Sequence, residues 1–219
     1  SVIDQTYQSF EVIVTDDSSS DLIRGIVESF NNPLIRYRRN EKTLGVALNL
    51  RAAINEAQGI YITILNDDDS WEPEFLTSLV KPLEDDRRRA LSFCDHWIMM
   101  EDGKIDIKKT DINTMHYGRG GLLEGEVEDS PAFVLERNGI PLAMASMFRK
   151  DSVDWGLRVS QVCGAYDFWI SCLIAATQRP VYYIPKRLTR YRVHGAMETA
   201  RRALDKNENM VFIYGKLQE

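Results

Sequence analysis

Short apolar runs alternate with amphipathic stretches along the first half of the chain, and this alternation predicts strands and helices in turn. The predicted strands lie at 10–14, 34–39 and 60–65, and the predicted helices lie at about 22–30, 46–58 and 73–80. In the second helix, Val46 and Ile54 belong to the predicted inward face, and Gly59 stops the helix. Strand and helix alternation at this spacing favours right-handed crossovers and a largely parallel sheet, hence an α/β fold.

The second half of the chain is less regular. A strand from about 90, a turn at 101–103 and a return strand to 109 are predicted, followed by a polar, glycine-rich mobile loop at 110–130. A helix at about 166–177, the strands "VYYIP" and "LTRYRVHG" and a polar helix over 198–214 complete the prediction. With no linker between the halves, we expect one domain over 1–219, with a 1–97 lobe and a 98–219 lobe.

The composition is that of a soluble globular protein, with 219 residues, 44% of them apolar and 27% charged. The formal charge of −6 argues against a nucleic-acid partner, and we interpret the short basic run 87–89 as a solvated turn. No apolar run approaches the length of a membrane-spanning helix. The three cysteines lack a metal-ligand spacing and are interpreted as reduced core residues, which favours a cytoplasmic protein.

Two of the predicted strands end in carboxylates. Asp16 and Asp17 follow the first strand, and Asp67, Asp68 and Asp69 follow the third. Because ligands bind beyond the carboxyl ends of strands in an open α/β sheet, the five carboxylates are expected to meet in one crevice if their strands are neighbours. Oxygen-rich clusters suit Mg²⁺ or Mn²⁺, which bridge the phosphates of nucleotides. The alternative is that these acids cap the helices that follow.

Four segments, in order, carry a resemblance that spans nearly the whole chain: "SVIDQTYQSFEVIVTDDSSSD", "GIYITILNDDDSWEPEFL", "NGIPLAMASMFRK" and "IPKRLTRYRVHG". Together they resemble the inverting family 2 glycosyltransferases of the GT-A fold. The resemblance implies a Rossmann-like, mostly parallel sheet flanked by helices, with a smaller mixed region on the acceptor side. It also implies metal-dependent transfer of a sugar from a nucleotide-diphosphate donor to an acceptor hydroxyl, with inversion, in cell-surface polysaccharide or glycolipid synthesis.

The resemblance also implies roles for matching positions. These are nucleotide binding by Asp16, Asp17, Asp67 and Arg192, and binding of Mn²⁺ or Mg²⁺ by Asp68, Asp69 and His194. For His194 the alternative is a buried histidine bonded to a backbone carbonyl. For Arg192 it is an exposed arginine on an alternating strand.

The chain departs from the family pattern at three places. Asn66 stands where the first acid of the metal segment usually is, and Gly164 and Ala165 stand where the catalytic acid is usual. Asp167 is the remaining carboxylate of that segment and the predicted catalytic base, with Asp154 in reserve. Asp167 could instead face solvent at the start of its helix. The chain then would be a sugar-nucleotide-binding domain with impaired catalysis.

The chain opens inside what the resemblance makes the first helix, so we expect it to lack the family's first strand and to be a fragment. A sugar-phosphate nucleotidylyltransferase is a further alternative, although its glycine-rich loop is absent from this sequence. The expected partners are a nucleotide-diphospho-sugar and a saccharide or lipid-linked acceptor. A lipid-linked acceptor would bring the protein to the inner face of the membrane as a peripheral protein, but no basic amphipathic helix in the sequence argues for that.

Overall fold

The structure is a computed structural model that describes residues 1–155, 162–195 and 213. The strands are β1 (Val12–Asp16), β2 (Ile35–Arg39), β3 (Tyr61–Thr63), β4 (Ser70–Trp71), β5 (Leu91–Met100), β6 (Gly125–Glu126), β7 (Ser146–Arg149) and β8 (Val181–Val193). The helices are α1 (Leu22–Ser29), α2 (Val46–Glu56), α3 (Phe75–Asp85), α4 (Ile107–His116), α5 (Ser130–Arg137), α6 (Leu142–Ala145) and α7 (Tyr166–Ala176). The predicted helix at 198–214 lies outside the described residues, apart from residue 213.

The chain forms two compact units that interleave in sequence. The described residues of the larger unit are 1–8, 60–154 and 167–195, and those of the smaller unit are 9–59, 155, 162–166 and 213. The predicted division into lobes at residue 97 stays a prediction.

The smaller unit is built on a parallel pair of strands. β1 and β2 run side by side from Val12 opposite Ile35 to Asp16 opposite Arg39. The helix α2 buries Ala53 and Ile54 as the apolar pattern predicts, but Val46 is exposed because the buried residue of the first turn is its neighbour Ala47. Because β1 and β2 are parallel, both end at the same edge of the sheet, β1 with Asp16 and β2 with Arg39. Asp16 and Asp17 lie at this edge.

The larger unit holds a mixed sheet in the order β3-β7-β5-β8-β4, with β6 paired to β8. The long β5–β8 pairing is parallel, whereas the four short pairings are antiparallel. The α/β class is confirmed. Among the described residues β1 and β3 belong to different sheets, so the condition for a shared acidic crevice, that these two strands are neighbours, is not met. In the described residues β3 pairs with the antiparallel strand β7, whereas β1 pairs with the parallel strand β2.

The core of the larger unit confirms the amphipathic pattern of α3. Phe75, Leu76, Leu79 and Val80 are all buried, and α3 packs on the strand β5 of the sheet. Trp71 stacks on Phe75 with ring centroids 4.4 Å apart, and its indole N–H donates to the Met144 carbonyl at 2.8 Å. This packing fixes the short strand β4, which begins directly after the acidic run 67–69.

The segment 104–130 differs from its prediction. The return strand is reduced to a single bridge between Met99 and Ile105, and the expected mobile loop contains α4, a 3-10 turn at Arg119–Gly121 and β6. The Asp106 carboxylate caps α4 by accepting from Lys109 N at 2.9 Å. The buried Thr110 hydroxyl accepts from Ile98 N at 2.9 Å, so α4 is tied to β5 by hydrogen bonds rather than by an apolar stripe.

The two strands predicted around Pro185 form one continuous strand with an irregularity. In the pairing with β5, Cys94 faces Ile184 but Asp95 faces Arg187, so Pro185 and Lys186 are extra residues in β8. Proline cannot donate a ladder hydrogen bond, which explains a bulge at this point. The bulge therefore sets which residue of β8 lies opposite Asp95.

Candidate functional site

Asp16 ends β1 as a buried and ionised carboxylate. Its Oδ2 accepts from the Tyr37 hydroxyl at 2.6 Å, and its Oδ1 accepts from Ser18 N at 2.8 Å. Burial raises the pKa of Asp16, but the hydrogen bonds from Tyr37 and Ser18 and the charge of Arg39 outweigh it, so the pKa lies below its usual value. Asp16 is therefore a fixed anion that shapes the strand end.

Asp17 binds the backbone that leads into α2. One oxygen accepts from Leu44 N at 2.8 Å, the other accepts from Gly45 N at 2.8 Å, and the Asn40 amide donates at 2.9 Å. Burial raises the pKa of Asp17, yet these bonds more than offset it and lower the pKa. The alternative that these acids cap the helix after them is not what the structure shows. Asp17 orders the start of α2, whereas the helix that follows it in sequence, α1, has no side-chain cap.

A polar network continues from Asp17 across the ends of β1 and β2. Asn49 Oδ1 accepts from the Thr15 hydroxyl at 2.6 Å and from the Asn40 amide at 2.7 Å. The Arg38 guanidinium donates to Thr15 and to Asn40 at 3.0 and 2.9 Å. These hydrogen bonds hold the acidic edge of the smaller unit in one arrangement.

The three acids of the larger unit occupy unlike environments. They form a turn closed by a bond from Asp69 N to the Asn66 carbonyl at 3.3 Å, in which Asp67 is exposed, Asp68 is half-buried and Asp69 is buried. Asp69 Oδ1 accepts from Arg192 N at 2.9 Å, but its Oδ2 is buried and makes no hydrogen bond within the described part of the chain. Burial raises the pKa of Asp69 to about 7, and the charge of Asp68 adds to this rise.

The end of β8 contacts the same acids. His194 Nε2 lies 3.1 Å from Asp68 Oδ2, and the Arg192 guanidinium donates from Nε to the Asp68 carbonyl at 2.9 Å. The histidine side chain is about one-fifth exposed, so it is neither fully buried nor turned to solvent. Four sequence-predicted residues are thus brought together, namely Asp68 and Asp69 with Arg192 and His194, and the two pairs lie more than 120 positions apart in sequence.

Whether this cluster could bind a divalent cation depends on the ligand atoms that its side chains supply. Over residues 1–155 and 162–195, no group of three or more His, Cys, Asp or Glu side chains is arranged to hold a metal ion. Mg²⁺ is nevertheless commonly held by one or two carboxylates together with substrate phosphates and water. Asp68 and Asp69 are two adjacent carboxylates, and Asp69 Oδ2 makes no hydrogen bond with the described residues, so this pair fits an ion held largely by substrate phosphates and water, with His194 beside Asp68.

Asp167 lies in the first turn of α7. Its Oδ1 accepts from Phe168 N at 2.8 Å, and its backbone carbonyl accepts from the Ser171 hydroxyl at 3.0 Å. The side chain is half-buried, and the alternative of an acid that faces solvent stays open. The catalytic role of Asp167 stays a prediction, as do the roles of Asp16, Asp17 and Asp67. The reserve acid Asp154 is exposed.

One charged cluster was not predicted from the sequence. Asp95 and Arg119 are buried and joined by a bond from Arg119 Nε to Asp95 Oδ1 at 2.9 Å, and the Thr114 hydroxyl donates to Asp95 Oδ2 at 2.6 Å. The sequence signal that could have found it is an aspartate inside the otherwise apolar strand "LSFCDHWIMM". A charge at a buried strand position needs a partner.

Comparison with known proteins yields a family and several relatives. The family model described as "Glycosyl transferase family 2" matches residues 1–124. The putative teichuronic acid biosynthesis glycosyltransferase TuaG of Bacillus subtilis is 34% identical over 105 residues, which are 47% of this chain and 41% of TuaG. WfgD of Escherichia coli, described as a UDP-Glc:alpha-D-GlcNAc-diphosphoundecaprenol beta-1,3-glucosyltransferase, is 39% identical over 71 residues, 32% of this chain and 28% of WfgD.

Solved structures share the fold. TarS of S. aureus in complex with UDP-GlcNAc superposes with a TM-score of 0.70 at 17% identity, over 97% of this chain and 59% of TarS. At this identity the likeness shows the GT-A fold alone. The chain spans 41% of TuaG and 28% of WfgD, less than half the length of either relative. None of the helices in the described ranges has the length and apolarity to span a membrane.

Proposed function

We propose, from the premise that the chain belongs to glycosyl transferase family 2, that it transfers a sugar from a nucleotide-diphosphate donor to an acceptor hydroxyl with inversion. The observation that carries the proposal is the meeting of the acidic turn with the end of β8. Asp68 and His194 are 3.1 Å apart, beside a buried carboxylate oxygen of Asp69 that makes no hydrogen bond with the described residues. A buried, unpartnered oxygen costs free energy unless a ligand satisfies it.

We propose that Asp68, Asp69 and His194 hold Mn²⁺ or Mg²⁺ when the donor is bound. Such an ion acts as a Lewis acid that neutralises the charge developing on the leaving diphosphate. Arg192 lies beside the same acids, where its guanidinium would add positive charge for the diphosphate. Nucleotide binding by Asp16, Asp17 and the exposed Asp67 stays part of the proposal, with Asp67 as the residue that would approach the ribose.

The transfer needs one base and one leaving group. The acceptor hydroxyl would give its proton to the Asp167 carboxylate while its oxygen forms a bond to the anomeric carbon of the sugar. The bond from that carbon to the diphosphate oxygen breaks in the same displacement, and the nucleoside diphosphate leaves with the bonding electrons. A single displacement inverts the anomeric configuration.

The names of two similar proteins support a proposal for the class of donor and of acceptor. WfgD is named for a UDP-glucose donor and a diphosphoundecaprenol acceptor, and the TarS structure contains UDP-GlcNAc. We propose a UDP-sugar donor and a lipid-linked or polysaccharide acceptor for this chain, in cell-surface polysaccharide synthesis. A lipid-linked acceptor would place the reaction at the inner face of the membrane.

A catalytically impaired, sugar-nucleotide-binding domain is the second candidate function. Gly164 and Ala165 replace the usual acids, and one Asp167 oxygen is engaged by the backbone of its own helix. The two candidates share donor binding and differ in turnover. The nucleoside diphosphate released in the presence of acceptor distinguishes them, and Asp167→Asn is the variant that should abolish release if Asp167 is the base.

Calorimetric titration with UDP, GDP and dTDP, each with Mn²⁺, with Mg²⁺ and with chelator, tests the shared step. We expect UDP to bind only with a divalent ion, and Asp68→Asn to weaken that binding strongly. The control is Asp102→Asn, which removes an equal charge from an exposed turn where Asp102 pairs with Lys104. Metal-independent binding of UDP, or equal loss in both variants, would contradict the proposed site.

A further inference from the structure

A cavity lies in the larger unit, apart from the acidic turn. Its volume is about 420 Å³. Its walls include Asp95, Trp97, Thr114, Arg119, Tyr183 and Arg187. Arg187 and Arg192 are five residues apart on β8, which at the rise of an extended strand corresponds to roughly 17 Å. The cavity is therefore separate from the residues proposed to hold the donor.

The cavity wall contains a buried, fully organised charge pair. Asp95 is 4% exposed and Arg119 is 2% exposed. Besides its bond to Asp95, the Arg119 guanidinium donates to the Gly139 carbonyl at 3.1 Å and to the Asn113 side chain. Burying an ion pair costs desolvation energy that its mutual attraction only partly returns. A contribution to stability alone therefore explains this buried pair poorly. A role of the Asp95 carboxylate in accepting hydrogen bonds from a ligand explains it better.

The strand irregularity lies at the same place. The extra residues Pro185 and Lys186 bring Arg187 opposite Asp95, with Arg187 Nε 3.6 Å from Asp95 Oδ2. The Arg187 guanidinium also lies over the Trp97 ring, 4.7 Å from its centroid. Bulges frequently re-aim side chains next to binding sites. Here the bulge places an arginine, an aspartate and an indole ring around one space.

The cavity wall includes Tyr183, which carries a hydroxyl group. Tyr183 is almost completely buried among protein atoms and contacts the Phe93 ring, yet no hydrogen bond joins its hydroxyl to another residue of the described ranges. Buried tyrosine hydroxyls usually have a partner. A ligand hydroxyl in the cavity could supply that partner.

The balance of charge indicates the class of ligand. The two arginines, Arg119 and Arg187, are matched by Asp95 and by Asp111, which accepts from Arg187 at 2.6 Å. A balanced site does not select an isolated anion. It suits a ligand whose hydroxyls both donate and accept hydrogen bonds and whose ring face packs on an aromatic side chain. A sugar has these properties, and 420 Å³ lies within the range of small-molecule pockets.

We infer that this cavity binds a neutral sugar unit of the glycan acceptor, one that is not itself glycosylated in the reaction. The inference rests on the proposed function for the identity of the ligand as part of an acceptor. Asp95 and Arg187 would take the hydroxyls of the sugar, and Trp97 and Tyr183 would contact its ring. The acceptor would then be held at two places, at the reacting hydroxyl and at this subsite.

Saturation-transfer NMR with the whole chain tests the inference. The probes are methyl β-D-glucopyranoside and N-acetylglucosamine, with sodium acetate as the anion probe, each in the presence of excess UDP and Mn²⁺. The variants are Arg187→Gln and Tyr183→Phe. The matched control is Arg190→Gln, which changes another arginine of β8 that pairs with Glu72 at 2.7 Å and does not line the cavity.

We expect saturable binding of at least one sugar, weakened about tenfold by Arg187→Gln, which removes charged hydrogen bonds, and less by Tyr183→Phe. Arg190→Gln and Asp68→Asn should leave the sugar affinity unchanged. The inference is overturned if neither sugar saturates the folded protein, if acetate alone binds, or if Asp68→Asn abolishes sugar binding while Arg187→Gln does not. Metal-dependent UDP binding, measured on the same samples, would show whether the proposed function survives such a failure.

Discussion

The buried ion pair of Asp95 and Arg119 allows a direct test of how much burial adds to the cost of removing one charge. In Arg119→Met the side chain keeps its approximate length but loses the guanidinium. Three acceptors then lose a donor, namely Asp95 Oδ1, the Gly139 carbonyl and the Asn113 side chain. The pKa of Asp95, which burial raises, is held below its usual value mainly by the charge of Arg119. The variant therefore leaves a buried carboxylate without its main counter-charge.

The expected cost follows from burial. Removing one partner of a buried pair typically costs about 3–5 kcal/mol, because the remaining charge stays desolvated. That is a large share of the total stability of a domain, which is on the order of 5–15 kcal/mol. In Asp95→Leu combined with Arg119→Met both charges are gone, and most of the loss should be recovered.

Urea unfolding followed by circular dichroism measures these differences. The control is Arg190→Met, whose partner Glu72 lies at 2.7 Å but whose side chain is 45% exposed. Exposed pairs contribute about 1 kcal/mol or less. If Arg119→Met cost no more than Arg190→Met, or if the double variant were no more stable than Arg119→Met alone, then burial would not set the energy of this pair and the reasoning would be wrong.

Two further predictions concern other buried groups. Asp17→Asn replaces an oxygen that accepts from Gly45 N by an amide that cannot, so we expect a loss of about 1–2 kcal/mol in urea unfolding. The control Asp21→Asn removes an exposed partner of Arg39 and should cost less than about 1 kcal/mol. Burial, assisted by the charge of Arg119, lowers the pKa of His96 to about 3, so the unfolded chain binds a proton near pH 6.5 and the folded chain does not. Stability is present in full above that pH and falls toward pH 3, by about 1.4 kcal/mol per pH unit. His96→Gln should flatten the pH dependence of unfolding between about pH 6.5 and 5, and an unchanged slope would contradict the assignment.

The elements that the sequence predicts well are those whose apolar residues are all buried on one side. The helix α3 is such an element, because Phe75 and Leu79 are completely buried one turn apart. The helix α4 was missed because its buried residues are Thr110 and Thr114, while Ile107 is exposed. Its start was nevertheless signalled by Asp106, a good N-cap residue, which a reading of apolar periodicity passes over.

At the site, the sequence likewise predicts the types of residue but not their hydrogen-bond partners. The run of acids at 67–69 predicts a cluster of carboxylates, but the sequence does not indicate that Asp67 is exposed and Asp69 is buried. Likewise the acids after β1 are evident in the sequence, whereas the attachment of Asp17 to Leu44 N connects residues 27 positions apart. Long-range partners depend on strand order and register, which local patterns do not encode.

The register of one very short strand determines the arrangement of the acidic turn. β4 contains two residues, and it sets Ser70 opposite Arg190 and Trp71 opposite Thr189. Continuing this antiparallel register places the acids that precede β4 beside the residues that follow Arg190, which is where Asp68 meets Arg192 and His194. A slip of one residue would turn these side chains to the other face of the sheet. The stacking of Trp71 on Phe75 and its bond to the Met144 carbonyl oppose such a slip, so the packing of one indole ring maintains the contact between His194 and Asp68.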